Sequence, residues 1–60
     1  MNQKEKDLRQ RLDLLFKQLE LYHRYPEEFI KPLGNTGVQE WLDGVLDEIN
    51  WINKQLNKLN

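Results

Sequence analysis

From Val38 to Leu59 the chain places an apolar residue at alternating steps of four and three, through Val38, Leu42, Val45, Ile49, Ile52, Leu56 and Leu59, with no polar interruption. This is the a/d row of a heptad, a spacing that an α-helix gathers onto one face and a strand scatters over two. Such a row is poorly stable in water unless a second apolar row covers it. The same chain supplies one: Leu8, Leu12, Leu15, Leu19 and Tyr22 recur at steps of four, three, four and three.

The two rows are separated by YPEEFIKPLGNT, Tyr25 to Thr36, where two prolines, a glycine and an asparagine concentrate turn chemistry. Pro26 disfavours helical backbone at Tyr25 and so should end the first helix. With Glu27 and Glu28 it can then open one short helical turn, since proline suits a first helical position and acids suit the positive end. Phe29, Ile30 and Leu33 would close over that end of the molecule. Thr36 followed by Gln39 reads as a capping box for the second helix.

The predicted fold is therefore all-α: a helix over about 4–24, an irregular connection over 25–36 and a helix over about 37–59, one helical-hairpin domain spanning 1–60. Two helices of similar length joined by a dozen residues bury their rows by lying antiparallel.

A chain of 60 residues struggles to enclose a core by itself, and below about 70–80 residues stability normally needs disulfides, a metal or association. There is no cysteine, and His23 is the sole imidazole. Disulfides and thiolate zinc sites are excluded, and no cofactor or metal is expected. Association remains. Phe16 and Leu46 fall at e and Trp41 at g, and a stripe widened in this way is the pattern of a helix with two helical neighbours. The hairpin is expected to dimerise into a four-helix bundle.

A composition 38% hydrophobic and 32% charged is too apolar and periodic for a disordered chain. No apolar run approaches the roughly 20 residues that span a bilayer, so no membrane partner is expected. The start MNQKEKDLRQ lacks the apolar stretch and cleavage site of a secretory signal, which makes the cytoplasm the expected compartment.

Candidate interface residues lie off the two rows. Gly44 interrupts a strong helix at a cost of about 1 kcal/mol relative to alanine. It shares a flank with Trp41, Glu48 and Trp51, so two indoles border bare backbone, a plausible docking groove given the enrichment of tryptophan at interface hot spots. The plainer reading makes Trp41 the edge of the core, Trp51 half-covered and Gly44 incidental. Leu14 and Leu21 share position c, seven residues apart. The expected partner or dimer interface is thus Leu14, Phe16, Leu21, Trp41, Gly44, Leu46 and Trp51.

Other motifs point nowhere in particular. His23 is read as a helix-terminal cation, with no serine or cysteine in the chain for it to activate. Asp43, Asp47 and Glu48 are read as a solvated face. The Pro32 to Gly37 stretch opens a helix where phosphate is sometimes held, but it lacks the Gly-Lys-Ser/Thr ending of a P-loop. No catalytic residue is assigned and an enzyme is not expected.

The expected function is a small adaptor, inhibitor or regulator that binds protein through an apolar helical surface, as a homodimer, on a larger partner, or both. The net charge of −1 argues against nucleic acid as partner, although it divides into +2 over residues 1–24 and −3 over 25–60. An alternative is therefore a dimer whose paired first helices touch phosphates through Lys4, Lys6, Arg9, Arg11, Lys17 and Arg24. In general shape that dimer is similar to the plasmid-copy-control, RNA-binding hairpin family called Rop, a similarity of architecture that no motif carries. A second alternative is an acidic inhibitor of phage type that mimics nucleic acid, drawing on the acids of the second helix.

Overall fold

The computed structural model describes residues 2–59. Two helices account for them, α1 (Gln3–Arg24) and α2 (Pro26–Leu59), with no strand among the described residues. Asn2 opens α1 from extended backbone, its side-chain oxygen accepting the Glu5 amide at 2.7 Å. This satisfies one of the donors that a helix start leaves over. Gln3 and Asp7, then Glu5 and Arg9, pair one turn apart along the exposed first turns.

At the other end Tyr25 leaves helical geometry, at φ −132° and ψ 61°, while its N–H still donates to the Leu21 carbonyl at 2.8 Å. Pro26 is the cause, as its ring crowds helical backbone at the residue before it. That same proline begins α2 with Glu27 and Glu28 in the first turn. One non-helical residue thus separates the two helices.

The irregular connection expected over 25–36 is not what forms. Residues 26–33 are helical, and the chain breaks once, at Gly34, before continuing as helix to Leu59. Pro32 is tolerated because it forgoes a single hydrogen bond, that to the Glu28 carbonyl, in the last turn of a short arm. Helix also resumes earlier than the expected capping box required, so Thr36 lies inside the first turn after the break. Gly34 makes the break possible. At φ 74° and ψ 169° it occupies a region open essentially to glycine alone.

The break folds the 26–33 arm back so that Phe29 meets α1 and the long arm together. Phe29 stands edge-on to Tyr22 at 5.6 Å between ring centres and tilted over Trp41 at 5.0 Å, and Tyr22 meets Trp41 at 5.8 Å. These offset and edge-to-face geometries are the ones aromatic quadrupoles favour. Phe29 therefore covers the turn end as expected, and Ile30 is half-buried. Leu33 instead stays largely exposed, its Cβ within 3.1 Å of where a side chain on Gly37 would begin.

The helices run antiparallel, since partners lie further apart in sequence the further they are from the turn: Tyr22 with Trp41, Arg11 with Glu48. Leu15, Val45, Ile49, Ile52 and Leu56 form the core, with Leu8, Leu12, Leu19 and Trp41 packed against it. Val38 is buried as well. The long row thus holds five buried residues while Leu15 is the only one buried on α1. Leu59, at the end of the row, is exposed.

The dimensions explain this thin core. The molecule measures 40 × 17 × 13 Å, the shape of two long helices side by side with the short 26–33 arm folded onto one end. It is a single layer of helices, whereas stable domains bury their apolar faces between two. Its radius of gyration, 13.6 Å, exceeds the roughly 10 Å of a compact 60-residue domain.

Candidate functional site

A layer one helix thick has two broad sides, and the ion pair between Arg11 and Glu48 identifies one of them. Both Nε and Nη2 of Arg11 donate to the Glu48 carboxylate, the second at 3.1 Å. This parallel two-bond geometry is specific to guanidinium and carboxylate. The hydrogen bond to Arg11 holds the Glu48 carboxyl below the usual carboxylate range, and the same bond raises Arg11 further above its already high value. Near neutral pH both groups are therefore fixed charges, not proton donors or acceptors.

Beside this pair lies a groove of about 300 Å³. Leu15, Val45 and the bare backbone of Gly44 make its floor, Trp41 one wall, and Gln18 and Glu40 join Arg11 and Glu48 around the rim. Gly44 is exposed, and a Cβ built on it would meet nothing within 4 Å. The notch anticipated at this glycine is therefore open, and no packing within the chain demands it. Gly44→Ala is accordingly expected to stabilise the isolated hairpin by about 1 kcal/mol, the difference in helix propensity. Urea unfolding followed by far-UV circular dichroism at low protein concentration reads this, and a loss of stability would mean that the notch is filled in the folded chain.

Of the other expected interface residues, Leu14, Phe16, Leu21, Leu46 and Trp51 all stand about half exposed or more. Trp41 differs: it is half-buried in the three-ring cluster while still lining the groove. At about 100° per residue, Leu14 and Leu21 project from α1 to the same side as Arg11 and Gln18. Gly44 and Trp51 project from α2 to that side too. Phe16 and Leu46 project to the opposite side. The seven residues thus divide between two flanks and do not form one patch.

The six basic residues of α1 are exposed but do not make a single stripe. Arg9 pairs with Glu5 at 3.3 Å, Arg24 with Glu20 at 3.0 Å, and Arg11 with Glu48. Half of the set already faces a carboxylate. Among the described residues no group of three or more His, Cys, Asp and Glu is placed to hold a metal ion, and no helix is long and apolar enough to cross a membrane.

Two features were missed in the sequence. The Arg11–Glu48 pair was recoverable, since an antiparallel register that sets Leu15 beside Val45 also brings position 11 near position 48. The cluster of Tyr22, Phe29 and Trp41 was not, because it depends on the direction of the break at Gly34. No family model, no curated protein and no solved structure matches this chain.

Proposed function

We propose that this hairpin is a non-catalytic protein–protein interaction module, a small adaptor, inhibitor or regulator that acts through its apolar helical surfaces, and that two copies complete a four-helix bundle. One observation carries the reading: Leu14, Phe16, Leu21, Leu46 and Trp51 stand half in water on a layer too thin to cover them. Scattered exposed leucines are ordinary, but a folded chain that leaves this share of its large apolar side chains outside the core marks an association surface.

Area supports the same reading. The chain exposes 4787 Å², whereas folded monomers of its 7.3 kDa mass expose about 4,200 Å². The surplus of roughly 600 Å² goes with the elongated shape of the chain, which leaves more surface open to a partner than a compact domain would. A nucleic-acid role has less support, because Arg9, Arg11 and Arg24 already hold carboxylates that a phosphate would have to displace.

Sedimentation equilibrium over a wide concentration range tests the proposal. The wild type is expected at twice its 7.3 kDa chain mass, and a Leu21→Ala, Trp51→Ala double variant is expected to shift toward the single-chain mass while retaining its helicity. A wild type that stays at the single-chain mass up to millimolar concentration overturns the bundle.

A further inference from the structure

We infer that two copies associate through α2, antiparallel about a two-fold axis beside Asp47 and Glu48, with Trp51 of each copy seated in the groove above Gly44 of the other. The inference rests on the reading that this chain acts by association, and it specifies which flank, which partner and which register.

The argument begins with a knob and a hole on one helix. Trp51 is 55% exposed, a large rigid side chain with nowhere to go in its own chain. Gly44 lies seven residues before it, about 20° away around the helix and about 10.5 Å along it. A knob and a hole displaced along one face are both filled when the second copy runs antiparallel, because in a two-fold interface residue i meets j while j meets i. A parallel copy in register would set indole against indole. The groove also suits an indole chemically. Its floor of Leu15 and Val45 takes the ring, and Gln18, Glu40 and Glu48 at the rim offer oxygens to the one N–H a buried tryptophan must place.

Charge selects the same orientation. On the exposed side of α2 the acids Glu40, Asp43 and Asp47 occupy the first half and Lys54 and Lys58 the second. Numbers that meet across the axis total about 95, as 44 and 51 do, so Glu40 faces Lys54 and Lys58 of the other copy twice over. At the axis Asp47 meets both its own counterpart and Glu48 of the other copy, the like-charge approaches in this register, and Arg11 offsets the charge of Glu48. The flank bearing Phe16 and Leu46 carries no glycine.

The absence of cysteine in the full chain allows a direct test. Antiparallel helices packed 8–10 Å apart place the two copies of position 47 within the roughly 4.4–6.8 Å between Cα atoms that a disulfide spans. Asp47→Cys is therefore expected to give a covalent dimer on mild oxidation. Leu46→Cys, about 160° around the helix from Gly44, is expected to give none. By sedimentation equilibrium, Trp51→Ala and Gly44→Leu should each weaken association at least tenfold, with helicity retained because both replacements favour helix. A wild-type dimer that cross-links through Leu46→Cys and not Asp47→Cys, or that ignores Gly44→Leu, overturns this register and leaves the association reading intact. A chain that stays monomeric at every concentration overturns both.

Discussion

Leu15→Ala is expected to leave the chain largely unfolded at room temperature. Leu15 is 2% exposed and is the sole buried residue of α1, so its removal opens the only place where that helix is held from all sides. Truncating a buried leucine costs about 2–5 kcal/mol through lost burial and the cavity left behind. A core in a chain of this size supplies only about 3–5 kcal/mol in total. The adjacent Leu14 provides the control. It is half exposed and is not a member of the buried core cluster, so Leu14→Ala should change the stability of the dilute hairpin by no more than about 0.5 kcal/mol. Urea unfolding monitored by far-UV circular dichroism, at one fixed low concentration because association would add its own stability, separates the two. Equal losses at both positions would mean that α1 does not present Leu15 to α2.

Gly34→Ala is expected to cost about 1–3 kcal/mol, the strain of holding a residue with a Cβ in that region of backbone space. Crowding does not enter, since a Cβ there would meet nothing within 4 Å. The same substitution ten residues later, at Gly44, is predicted to stabilise, so the pair isolates backbone torsion from side-chain packing. The damage should also be local in character. If the break cannot form, the 26–33 arm cannot carry Phe29 onto Tyr22 and Trp41, and the near-ultraviolet signal of the clustered rings should weaken before far-ultraviolet helicity falls. A Gly34→Ala variant as stable as the parent, with that signal unchanged, would show that the turn tolerates another geometry.

Much of this architecture was legible in the heptad rows. Steps of four and three from Leu8 and Val38 predicted two helices, their antiparallel order and the residues between them, and the first helix was expected within one residue of its observed limits. The segment 25–36 was misread for a physical reason. Proline and glycine signal the end of helix by what they do to single residues, yet a proline at a first helical position promotes helix and one in a last turn costs a single bond. Pro26 ends α1 at Tyr25, and within α2 Gly34 alone breaks the helix. At the candidate site the side chains that would stand outside the rows were legible, because position on a helix is fixed by number. Their division between two flanks required the pairing of Arg11 with Glu48, and the choice between Trp41 as interface residue and Trp41 as core edge required the fold of the short arm, which packs it against Tyr22 and Phe29.

The single non-helical residue at Tyr25 bears on how quickly the molecule forms. With α1 and α2 joined so closely, no large loop has to be closed before the first stabilising encounter, and chains whose partners are near in sequence fold in microseconds to milliseconds. Easy closure implies easy reopening when little surface is sealed, and an open hairpin offers its backbone to any protease present. Persistence in a cell would then be governed less by the lone chain than by how often it finds company.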